Sequence, residues 1–133
     1  MRLWIVRLLI FIVTAWNLQA ALVFIFSPVR FVNAYELSGI AGEAAIRGFG
    51  LLFLMWNVPY VFAVKDPIRY QLALTFALLM QSIGLIGESY ILFSLTPEHI
   101  LLRSSILRFI TFDGIGLLLL AVSWQLLKDK KTP

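Results

Sequence analysis

Four stretches of this chain are apolar over lengths that span a bilayer, whose hydrocarbon core of about 30 Å takes a helix of about 20 residues. They run over 3–26, 44–64, 68–95 and 97–127. In lipid, such runs must satisfy their backbone hydrogen bonds internally, which a helix does. Composition points the same way: 61% of residues are hydrophobic and 14% charged, against roughly 45–50% and about 25% in soluble domains. A soluble globular domain is therefore excluded. The connections after the second and third runs are short, which favours antiparallel neighbours. The expectation is an all-α fold, an integral membrane four-helix up-down-up-down bundle forming a single domain over 1–133.

Local signals punctuate the runs. The first closes at Ser27-Pro28, and Asp66-Pro67 and Thr96-Pro97-Glu98 place a capping oxygen before a proline suited to a first helical position. Arg2 and Arg7 ahead of an apolar stretch resemble a signal peptide. The apolar sequence continues through Leu22 to Phe26, however, beyond the about 7–15 residues of a signal core, so a retained helix is expected. Lys and Arg flanks set topology. Arg2, Arg7, Lys65, Arg69, Lys128, Lys130 and Lys131 lie on one side, and Arg30, Arg47, Arg103 and Arg108 on the other. This predicts an inner (plasma) membrane protein with both termini cytoplasmic and the basic C-terminal flank touching anionic headgroups. The loop over 28–43 carries Val29, Phe31, Val32 and Tyr35 around Arg30 and Asn33, which suits a short interfacial helix. A tether at headgroup depth is expected, with a lid over the bundle as the alternative.

Charged groups inside a spanning helix cost about 2.5–3.5 kcal/mol on insertion scales and normally face the bundle interior. Under the predicted topology the outer half holds Glu43, Arg47, Glu88, Arg103, Arg108 and Asp113, and the inner half almost none. Glu43, Arg47, Gly50, Leu54 and Asn57 fall near one stripe of the second helix at 100° per residue, a stripe expected to face inward. Ala77, Gln81, Gly84 and Glu88 align on the third. Thr14, Asn17 and Ala21 share a face of the first. The resulting candidates for an outward-facing polar pocket are Asn17, Glu43, Arg47, Asn57, Gln81, Glu88, Arg108 and Asp113, with Arg108 either snorkelling to the headgroups or pairing with Glu88 or Glu43. The alternative is that the neutral polar residues and Gly48, Gly50, Gly84, Gly87, Gly114 and Gly116 only let the helices approach.

Other chemistries lack their residues. There are no cysteines and one histidine, His99, so thiolate chemistry and haem held by two histidines are excluded, and neither a metal site nor any cofactor is expected. Trp4 and Trp124 read as interfacial belt residues, leaving Trp16 and Trp56 at depth. The charges form no basic face, so nucleic acid is not an expected partner. The first helix lacks the glutamate of small multidrug transporters. The run Glu43-x-x-x-Arg47-Gly48-Phe49-Gly50 and the run from Arg108 through Asp113-Gly114-Ile115-Gly116 resemble the DoxX-like small four-helix membrane proteins. That resemblance implies a four-helix membrane architecture and an association with redox complexes of the respiratory membrane, often beside a soluble enzyme; it carries no catalytic residues. The expected function is small-ligand binding, or service as an accessory subunit, with the bilayer and a membrane or soluble subunit as partners. An ion- or proton-coupled transporter using Glu88 and Asp113, and a membrane isomerase or lipid-modifying enzyme, are the alternatives.

Overall fold

The computed structural model describes residues 2–128, so Asp129, Lys130 and Lys131 of the basic C-terminal flank lie outside the described residues. The elements are α1 (Arg2–Phe26), α2 (Val29–Val32), a 3-10 turn (Asn33–Tyr35), α3 (Gly39–Lys65), α4 (Gln71–Ser94) and α5 (Ile100–Lys128). Among the described residues there is no strand. The four long helices are long and apolar enough to cross a membrane, and the chain is a multi-pass membrane protein.

The long helices close a ring in chain order: α1 packs on α3, α3 on α4, α4 on α5, and α5 back on α1. This is the up-down-up-down bundle. One end carries the start of α1, the turn over 66–70 and the end of α5; the other carries the loops over 27–38 and 95–99. The first of these halves is filled by Val6, Ile10, Val13, Tyr60, Leu74 and Leu120, and the second by Phe24, Val32 and Ile46 with Phe53 and Phe109 against them. Outward faces carry Phe11, Leu52, Phe76, Ile83 and Leu118, all exposed, as lipid-facing surfaces require.

Three helix starts differ from the sequence expectation. The second spanning helix begins at Gly39 rather than 44. Its first turns pack Gly42 against Leu37 and Val32, an apolar contact hidden among glycines and Glu43. Asp66 does accept the backbone N–H groups of Ile68 and Arg69, at 3.1 and 3.0 Å. The chain nevertheless spends 67–70 in a turn, and regular helix starts at Gln71 instead of 68. Likewise 97–99 form a turn, and α5 starts at Ile100 instead of 97. Proline at the head of a run marks the turn in both places, and the helix follows one turn later.

The cap of α5 comes from far away in sequence. Glu36, held in the left-handed region at φ 54°, accepts the Leu102 N–H at 3.3 Å through Oε1 and a hydrogen bond from His99 Nδ1 at 2.6 Å through Oε2. A carboxylate at a helix N-terminus satisfies free N–H groups and opposes the helix dipole. His99 thus helps to hold the carboxylate that caps α5. The hydrogen bond from His99, then that from the Leu102 N–H, holds the Glu36 carboxyl below its ordinary value. A depressed carboxyl stabilises the fold fully above its unfolded pKa and loses that contribution as pH falls through the folded value. Glu36→Gln is therefore expected to lower the melting temperature at pH 7, with the gap to wild type narrowing below about pH 4. Melting curves in detergent across pH test this, and a gap independent of pH rules out an ionic latch.

Candidate functional site

Between α1 and α5, in the half of the bundle nearer the 27–38 loop, lies a cavity of about 260 Å³. Its walls are mostly apolar: Val13, Ala20, Val23 and Phe24 from α1, Phe31 from α2, Phe53 from α3, and Phe109 and Phe112 from α5. The polar groups on it are Asn17, Gln19, Tyr35, Arg108 and Asp113. This is the usual make-up of a small-molecule site, an apolar body with a few placed polar groups.

Access is sideways. The lining residues with exposed side chains are Trp16, Gln19, Arg108 and Phe112, all on α1 and α5, and Trp16 meets Phe112 edge to face with centroids 5.6 Å apart. Toward the loop end the cavity is covered. Phe31 and Tyr35 line it from above and pack with Phe24, Phe53 and Phe109 in one aromatic cluster. Ser105 donates to the Ala34 carbonyl at 2.7 Å, and Arg108 donates to Ser105 Oγ at 3.0 Å, which ties the cover to α5. The 29–35 segment thus packs over that end of the cavity, whose lining is mostly apolar. The sequence shows the aromatic residues of 29–35 but not the aromatic walls on three other helices that draw them inward.

Beneath the cavity a chain of hydrogen bonds crosses the bundle. Trp56 Nε1 donates to the Tyr60 hydroxyl at 3.4 Å. Tyr60 donates to Gln81 Oε1 at 2.5 Å, and Gln81 Nε2 donates to Asp113 Oδ1 at 2.8 Å. Asp113 is the one member that also lines the cavity. Its carboxylate fits the notch left by Gly84, where an added Cβ would collide with Oδ2, and Gln81 fits against Gly116. Of the six glycines singled out as packing residues, Gly50, Gly84 and Gly116 meet a neighbour, while Gly48, Gly87 and Gly114 face open space.

The expected pocket residues separate into groups. Asn17, Arg108 and Asp113 line the cavity. Gln81 and Asn57 are buried but do not line it; Gln81 holds Asp113, and Asn57 Nδ2 donates to the Phe53 carbonyl at 2.7 Å. Glu88 stands on α4, within electrostatic reach of Asp113, with one oxygen buried and unpartnered among the described residues. Burial pushes the Tyr35 phenol above its ordinary value, Glu88 adds to this and Arg108 opposes it, which puts these three groups in one neighbourhood. Arg108 forms no ion pair within 4.0 Å with Glu88 or Glu43 among the described residues, since it donates to Ser105.

Glu43 and Arg47 are corrected. They pair with each other at 3.7 Å on an exposed face of α3, and Leu54 is exposed as well. The buried residues are Gly42, Ile46, Gly50, Asn57, Tyr60 and Ala63, a stripe rotated from the expected one by roughly 80° at 100° per residue. Gly50 belongs to both stripes; what decides between them is the packing of Gly42 against Leu37 and Val32 and of Ile46 in the cluster with Phe24 and Val32. Arg103, also counted among the intramembrane charges, donates to the Leu92 and Leu95 carbonyls at 3.2 and 2.8 Å and so caps the end of α4. Sequence reasoning passed over Tyr60, whose burial needs no explanation in an apolar run, and the role of Tyr35, which only the folding of the 29–35 segment brings to Glu88 and Arg108. No family model, curated protein or solved structure matches the chain.

Proposed function

We propose that this chain is an inner-membrane protein, both termini cytoplasmic, whose α1/α5 cavity holds a small amphiphile that arrives through the bilayer. It acts as a binding or accessory subunit. The observation that carries this reading is the direction of access: the exposed part of the cavity wall belongs to helix faces that cross the membrane, while the aqueous end is lidded. A ligand that partitions into lipid has a short path to such a site. Aromatic walls favour a ring-bearing body. Arg108 and Asn17 offer donors to its oxygens, and Asp113 accepts from a hydroxyl or amine. The resemblance to DoxX-like proteins supports a redox-active ring compound and a complex of the respiratory membrane.

A second reading has an observation of its own. Asp113 and Glu88 have no cationic ion-pair partner among the described residues, so neither carboxylate is locked by an arginine, which suits a proton-coupled carrier.

Native mass spectrometry of protein extracted gently from its own membrane tests the leading reading. One chain should retain a defined organic molecule, and Val23→Trp, which fills the cavity, should reduce its occupancy at least about tenfold, the effect of roughly 1.4 kcal/mol. Equal retention by both proteins, or a companion polypeptide with no small molecule, would overturn the cavity as a ligand site.

A further inference from the structure

On another side of the bundle, α3 and α4 diverge enough to leave an open groove of about 780 Å³. Its walls are apolar, Val58, Pro59 and Phe62 facing Phe76 and Ile83, and at the turn over 66–70 it ends on Arg69 and Tyr70. From Tyr70 to Ile83 the α4 wall runs about 20 Å at 1.5 Å per residue, from the helix end to mid-membrane depth.

The chemistry changes once along this groove. The Arg69 guanidinium lies 5.5 Å from the centroid of the Tyr70 ring, and that ring packs on Phe62 edge to face. Arg69 forms no ion pair within 4.0 Å among the described residues. Asp66, the nearby acid, spends Oδ1 on the backbone N–H groups of Ile68 and Arg69. Lys65, exposed at the end of α3, adds a second positive charge. One end of the groove therefore presents cations at the helix termini, where headgroups lie, and the rest is hydrocarbon-like.

We infer that this groove is a binding site for an anionic phospholipid, with one acyl chain along Pro59 and Phe76 and the phosphate on Arg69. A second copy of the chain fits the charges poorly. A symmetric interface would bring the same face against itself, and no residue lining the groove is acidic, so Arg69 would be buried without a partner. A phosphate supplies the missing acceptor and pairs with a guanidinium in two-pronged fashion. The site is separate from the α1/α5 cavity and stands or falls independently of it.

The test adds phosphatidylglycerol or phosphatidylcholine of identical acyl chains to the delipidated protein in detergent and counts bound lipids by native mass spectrometry. Phosphatidylglycerol is expected to be retained about fivefold better, the effect of one basic residue at a membrane surface. Arg69→Gln, at an exposed turn position, should erase that preference while leaving the circular dichroism spectrum unchanged. Val58→Trp, an exposed groove residue, should displace both lipids. Equal retention of the two lipids, a preference that survives Arg69→Gln, or a mass corresponding to two chains with no lipid bound would overturn the proposal.

Discussion

Gly50→Ala is expected to destabilise the bundle by about 2 kcal/mol, within the range for overpacking, whereas Gly48→Ala should stabilise it. At Gly50 an added Cβ would sit 2.8 Å from the Ala21 carbonyl oxygen and 3.0 Å from the Ile25 amide nitrogen. Backbone atoms of α1 cannot rotate out of the way as a side chain can, so the two helices must move apart. They form the most extensive helix pair in the bundle, and separating them loosens contacts along its length. At Gly48 the same methyl group meets open space and contributes only the helix preference of alanine over glycine, about 0.8–1 kcal/mol in soluble hosts. Thermal or denaturant unfolding in one detergent, comparing the two variants with wild type, gives the answer. Equal shifts in the same direction would show that α1 and α3 are not in backbone contact.

The second large effect is expected at Gln81. Gln81→Leu preserves bulk but removes the donor to Asp113 and the acceptor for Tyr60. Tyr60 keeps the Ala77 carbonyl, 3.1 Å away. Among the described residues Asp113 has no other side-chain donor, and losing a hydrogen bond to a charged group costs about 1.5–3 kcal/mol. The double variant Gln81→Leu/Asp113→Leu removes both ends and should recover most of that loss, because replacing both partners by apolar groups of similar shape is nearly neutral. If Asp113 also contacts the ligand, the double variant should be stable yet empty in native mass spectra. A stable double variant that still carries its ligand would assign the polar chain to packing alone. A double variant as unstable as the two single changes added together would instead place the cost elsewhere than in this pair.

Some of the site was legible in single residues. Asp113 and Asn17 stood out because polar groups in a spanning helix rarely face lipid, and both reach the cavity. Glu43 and Arg47 obeyed the same helical spacing and were misplaced, because charge near a helix end can remain exposed at little cost. Their rejection required knowing that Gly42 and Ile46 pack inward beside Val32. Glu36 and His99 lie 63 positions apart, and no local pattern links a loop carboxylate to the helix it caps. Tyr60 resembled any other aromatic residue of an apolar run until Gln81 and Ala77 were seen around its hydroxyl.

The number of spanning helices, their order around the bundle and the segregation of loops to two ends followed from the sequence, since hydropathy over about 20 residues is a local property and short connections force antiparallel neighbours. Tertiary structure decided the rotation of each helix about its axis, the packing of the 29–35 segment over one end of the cavity, and the opening of that cavity between α1 and α5. Each residue turns a helix face by 100°, so hydropathy that is similar all round a helix leaves its inward side undetermined. Backbone contacts such as Gly50 on Ala21, and hydrogen bonds such as Gln81 to Asp113, fix that side between helices, where a single segment read alone carries no signal.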